Sequence, residues 1–182
     1  MNCITLKNKE IEIDKSSEFY SIIKDILENK TVQQMKNFNQ HCNTSTYEHC
    51  YNVAYISYLI CKKLNLDYKS AARAGMLHDF FLYNWRHSSK NLGEFHAFAH
   101  PKIALKKASE LFNLNKVEKD IILKHMWPVT LFQIPKYPES FIITLVDKYS
   151  AFQETAAYYY STLTKKEIMK YAYIFLCLLI LV

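Results

Sequence analysis

Glycine and proline are scarce in this chain: two glycines and four prolines occur among 182 residues. Hairpin turns of the primed types need residues that tolerate positive φ, so a sheet meander has almost no material here. Long stretches without proline, rich in Leu, Ile, Lys and Glu, favour helix. Cysteine is present five times, an odd number, and no C-x-x-C occurs. That excludes a disulfide framework and points to free thiols in a reducing cytoplasm. The runs His41-Cys42 and His49-Cys50 have the composition of zinc ligands, but their spacing matches no common finger. The first fifteen residues carry six charged side chains and no apolar run, so no secretory leader is expected.

Negative charge is in deficit, with 17 acidic against 23 basic residues and a net charge of +6. This suits a small anionic substrate. Lys and Arg form no compact run interleaved with aromatics, so polymeric nucleic acid is not an expected partner. The longest apolar run, YAYIFLCLLILV at 171–182, would span only about 18 Å as helix against a hydrocarbon core of ~30 Å. It is read as a terminal helix docked into the core or into a partner. Membrane contact, with Lys165, Lys166 and Lys170 at the polar edge, is the lesser alternative. No feature fixes an oligomeric state.

The apolar residues that are present recur at threes and fours. Residues 16–29 form a first helix with Phe19, Ile22, Ile23, Ile26 and Leu27 on one stripe, and 31–38 a shorter one. A strand is conceivable only at Ile11–Ile13. Ser45 and Glu48 form a capping box, so a helix starts there with His49, Val53, Ile56, Ile60 and Leu64 along one face. Asp67 caps the next helix, which runs through Phe81. Its small residues Ala71, Ala74 and Gly75 share a face with His78 and permit a close neighbour. Pro101 suits the first position of a helix, which places His100 at the cap and favours it over His96 as a functional residue. Residues 116–126 carry Val117, Ile121 and His125 on one stripe. In the last helix, from Glu139, the stripe is Phe141, Ile142, Leu145, Val146, Tyr149 and Phe152, with Asp147 beside it. The expected fold is an all-α single domain, a bundle of about seven helices. Within it, 1–45 is an arm with helices packed on the core, 46–162 the main domain, and 163–182 an apolar terminal helix.

Six side chains stand out against this background: His49, His78, Asp79, His100, His125 and Asp147. They recur at intervals of roughly one helix plus one turn. An adjacent His-Asp pair alone is common by chance, but the ordered series is not. Imidazole and carboxylate are what divalent metals bind, and a bundle can point one or two from each helix into a common pocket. A carboxylate set among Ile143 and Ala151, as Asp147 is, is costly to bury unless something neutralises it, and a metal ion does.

The phrases EHCYNVAYISYLI, AARAGMLHDF, FHAFAHPKIAL, IILKHMW and LVDKYSAF, in that order over about 46–155, resemble the HD-domain superfamily of metal-dependent phosphohydrolases, whose pattern reads H…HD…H…H…D. The resemblance implies that His49, His78, Asp79 and Asp147 hold one divalent transition metal. It implies that His100 and His125 hold a second, with Asp79 bridging; iron or manganese would suit these ligands. It also implies attack of an activated water on a phosphoester of a nucleotide or other small phosphorylated substrate, with Asp79 among the catalytic groups. Several subfamilies continue the HD pair with an acidic-glycine-lysine phrase; this chain continues FFLYNWRH instead. Phosphate contacts are therefore assigned to Arg86 and Lys148, with Lys102 a further candidate at a helix start. Trp85 and Trp127 suit stacking on a base but read first as packing under loops. The alternative function is a catalytically silent HD-like domain that binds a nucleotide or protein partner in a regulatory role. Retention of all six residues favours the enzyme.

Overall fold

Polar caps start the helices where the sequence places them. A computed structural model describes residues 14–84 and 96–180, without the side chains at 96, 166–169 and 171–180. The strand expected at 11–13, and Trp85 and Arg86, lie outside the described residues. Helix α1 (Glu18–Leu27) begins at Ser17, whose hydroxyl accepts the Tyr20 N–H, and it buries Phe19, Ile23, Ile26 and Leu27. Asn29 caps the short α2 (Lys30–Gln33), and a 3-10 turn, Gln34–Asn37, follows it.

The chain then makes a hairpin that composition argued against, β1 (Asn39–His41) paired antiparallel with β2 (Thr44–Ser45). Cys42 takes the positive φ, 52°, that glycine would normally supply. Ser45 next opens α3 (Thr46–Lys63) with both arms of the capping box made, Ser45 N–H to Glu48 at 2.8 Å and Glu48 N–H to Ser45 Oγ at 3.2 Å.

Asp67 caps α4 (Tyr68–Leu77) through the Ser70 N–H at 3.0 Å. The small face of α4 does what the sequence predicts. A Cβ on Gly75 would stand 2.7 Å from the Cα of Ala54, so α3 and α4 meet backbone to backbone. The helix stops at Leu77 rather than running through Phe81, and Phe80 and Phe81 plug into the core beyond its end. Arg73 clamps α4 to its neighbours, with two bonds to Asp25 of α1 at 2.6 and 2.9 Å and one to buried Glu118 at 3.1 Å.

Helix α5 spans His96–Leu111, with Pro101 inside it rather than at its first position. His100 is therefore a helical residue, and Lys102 lies beyond the first turn. Proline lacks an N–H, so the helix gives up one backbone bond at Pro101 and continues. Helix α6 (Lys116–Lys124) starts from a second capping box, Asn115 with Glu118. Helix α7 then runs unbroken over Pro138–Ile180, without a separate terminal helix. Its period is as read, but its phase is not. Ile143, Thr144, Val146, Asp147 and Ser150 face the domain, while Leu145 (66% exposed) and Phe152 (72%) face outward. The inward face mixes the core residues Ile143 and Val146 with the buried polar residues Thr144, Asp147 and Ser150.

Seven α-helices and one two-stranded hairpin make up the described residues, an all-α architecture. The core packs α1, α3, α4 and α6 around Ile23, Ile26, Met35, Met76, Leu77, Ile121 and Ile122. Among the described residues no helix is long and apolar enough to cross a membrane.

Candidate metal centre

Helix ends converge on one buried pocket. His49 is the fourth residue of α3, His78 caps the C-terminus of α4, and His125 caps that of α6. The last carbonyls of a helix have no N–H four residues on, so they accept from side chains. Both C-terminal histidines use one. His78 Nδ1 lies 2.8 Å from the Gly75 carbonyl, and His125 Nδ1 lies 2.9 Å from that of Ile122. A carbonyl only accepts, so each Nδ1 carries the proton, and each Nε2 is turned into the pocket.

The structure brings all six predicted residues together there. Asp147 Oδ1 lies 3.0 Å from His49 Nε2 and 3.6 Å from His78 Nε2. Asp79 Oδ2 lies 3.5 Å from His78 Nε2, and Asp79 Oδ1 lies 3.1 Å from His100 Nε2 and 3.3 Å from His125 Nε2. The facing Nε2 atoms of His100 and His125 are 2.9 Å apart. Two sets of donor atoms result, each within 4.8 Å: His49, His78, Asp79 and Asp147 in one, Asp79, His100 and His125 in the other. Asp79 belongs to both.

This donor set fits divalent cations. His78 Nε2 and Asp79 Oδ1 are wholly buried and make no well-directed hydrogen bond, in a protein interior where such groups are normally satisfied. Both point at the pocket. Nitrogen and oxygen donors without thiolate suit first-row metals such as manganese or iron.

The electrostatics agree. Burial opposes the charge on Asp79 and Asp147, yet neighbouring imidazoles hold both carboxyls well below the usual range: His78 and His100 for Asp79, His49 and His78 for Asp147. Burial likewise opposes a proton on His49, but its bonds to Asp147 and Glu154 carry its pKa up to about 10. His78 is also raised, against its burial, chiefly by the charge of Asp79. His125 moves the other way, because its burial wins over the pull of Asp79. The two buried acids thus demand positive charge from whatever shares their pocket, proton or metal.

Three groups escaped the sequence reading. Gln40, on β1, donates Nε2–H to Asp79 Oδ2, and Thr46 Oγ lies 3.5 Å from its Oε1. Glu154 holds the far side of His49, with its two oxygens 3.1 and 3.2 Å from Nδ1. His41, considered above only together with Cys42, stacks edge-on to the His49 ring at 5.2 Å. A signal for Glu154 existed, since it lies two helical turns beyond Asp147 and hence on the same face. None existed for Gln40, whose placement depends on the hairpin.

The phosphate-contact candidates fare differently. Lys148 donates to the carbonyls of His125 at 3.0 Å and Thr144 at 3.3 Å, which leaves one of its three N–H groups for other work. Burial lowers its pKa, with Asp147 and Asp79 opposing. Trp127 packs edge-on against Phe141 at 5.7 Å, the packing role read for it. Cys50 and Cys61 are buried free thiols and Cys42 a half-buried one.

The family model of the HD domain matches residues 46–151, more than half of the chain. No curated protein and no solved structure matches.

Proposed function

The chain belongs to the HD-domain family, a superfamily of metal-dependent phosphohydrolases, and from that premise we propose that it hydrolyses a phosphoester bond of a nucleotide or another small phosphorylated compound. One observation carries the reading. A histidine nitrogen and a carboxylate oxygen, His78 Nε2 and Asp79 Oδ1, are buried without a well-directed hydrogen bond at the point where all six side chains meet. Each buried unsatisfied polar group costs about 1–3 kcal/mol, and a cation bound between these two would offset that cost.

In this proposal His49, His78, Asp79 and Asp147 hold one divalent cation, and Asp79, His100 and His125 a second. Such ions supply Lewis acidity and lower the pKa of bound water. The protein's own part is to fix the ligands before substrate arrives. The Gly75 and Ile122 carbonyls set the rings of His78 and His125, and the Gln40 amide holds one oxygen of Asp79. Arg86 supplies the planar fork suited to phosphate oxygens. Lys148 keeps positive charge beside Asp147, with 3.9 Å between Nζ and Oδ2.

The test is hydrolysis of a chromogenic phosphodiester, a phosphomonoester and a panel of nucleotides. Turnover is expected to fall at least ~100-fold on chelation and to return when manganese is added back. Bound metal with no hydrolysis across the panel would instead establish the silent, ligand-binding alternative.

A further inference from the structure

His49 is the one pocket histidine of α3, and its position denies it the device that His78 and His125 use. Those two stand at helix C-termini, where the carbonyl three residues back is spare. His49 stands near the start of α3, where each carbonyl is taken by the N–H four residues on. Its Nδ1–H must find an acceptor from another element. The acceptor is Glu154 of α7, at 3.1 and 3.2 Å, while Nε2 faces Asp147 on the opposite side of the ring. The His49 side chain is fully buried and that of Glu154 is 11% exposed, so water does not compete freely for this bond. Asp147 and Glu154 lie on one face of one helix, so α7 presents both the acid on the pocket side of the ring and the acid behind it.

Resting on the reading of the pocket as a metal centre, we infer that Glu154 is a positioning residue of that centre. Its carboxylate accepts the Nδ1–H of His49 and fixes the tautomer whose Nε2 is the donor. It aims that nitrogen to the side of Asp147, and its negative charge makes the imidazole a stronger ligand. Helix α7 thereby locks the site to α3.

The experiment compares the full-length wild type with Glu154→Ala and Glu154→Gln. Two quantities are read: manganese and zinc affinity by competition with a chromogenic chelator, and the His49 ring N–H signals by nitrogen-correlated NMR in metal-free and zinc-loaded protein. Glu154→Ala is expected to weaken metal binding about 10–100-fold, the usual effect of losing such an outer partner. The slowly exchanging His49 Nδ1–H signal is expected to vanish with it. Glu154→Gln keeps a carbonyl acceptor without the charge, so it should recover the Nδ1–H signal and bind more tightly than the alanine variant but several-fold more weakly than wild type. Should the alanine variant not fold, the glutamine variant decides alone: affinity equal to wild type overturns the inference. Unchanged affinity in Glu154→Ala also overturns it. Complete loss of one metal equivalent with His49 Nδ1–H intact overturns it too, by making Glu154 a direct ligand with His41, whose donor atom lies within 4.8 Å of those of Glu154 and His49. A wild type that takes up neither metal would sink the proposed function itself, a result distinct from all of these.

Discussion

Asp79→Ala is expected to lose both metal binding and hydrolysis while keeping its helix content. Asp79 is the one side chain common to both donor sets, with His78 at 3.5 Å, His100 at 3.1 Å and His125 at 3.3 Å. Its removal takes a ligand from each set and leaves four imidazoles with one carboxylate. A loss of about 10³-fold or more in turnover corresponds to ~4 kcal/mol of transition-state stabilisation, a reasonable share for a shared ligand. The fold does not depend on it in the same way. The segment around Asp79 is anchored by fully buried Phe80 and Phe81, and removing a buried charge also removes its desolvation cost. Metal analysis by mass spectrometry, turnover of the phosphodiester and far-ultraviolet circular dichroism check the three parts. Full metal stoichiometry in the variant would show that Asp79 is no ligand.

Gly75→Ala is expected to destabilise the protein by roughly 2–3 kcal/mol, because an added Cβ meets backbone that cannot step aside. The new carbon would lie 2.7 Å from Ala54 Cα and 3.1 Å from Ala54 N. Intrinsic propensity pulls the other way, since alanine is better than glycine within a helix by about 1 kcal/mol. The clash wins, because relief requires α3 and α4 to move apart along their closest contact. That movement also separates His49 from His78 and shifts the Gly75 carbonyl that holds the His78 ring. Metal affinity should therefore fall together with stability, even though residue 75 touches no metal. Urea unfolding with and without manganese measures both effects. A variant more stable than wild type would mean that the two helices are not held at this distance.

Local chemistry made much of this legible in the sequence. Ser45 with Glu48 and Asp67 announce helix starts because a side-chain oxygen must satisfy the free N–H groups there, and that requirement is settled within four residues. The Ala71, Ala74 and Gly75 face announces a close neighbour for the same kind of reason. The six pocket residues were legible because their types and order are uncommon together. Illegible were features set by distant surroundings. Pro101 sits within α5 because the remaining backbone bonds outweigh one missing N–H, a sum no local rule performs. The phase of α7 was misread because apolar residues lie on both of its sides: Ile143 and Val146 are buried, while Leu145, Tyr149 and Phe152 are exposed. Gln40 and Glu154 act through contacts to Asp79 and His49 across 39 and 105 positions of chain.

The most direct measurement of the central claim is anomalous diffraction from crystals grown with manganese. A peak is expected within bonding distance of His49, His78, Asp79 and Asp147, and a second beside Asp79, His100 and His125. Well-ordered side chains around the pocket with no anomalous peak among them, at manganese concentrations that saturate other proteins with such ligands, would contradict it.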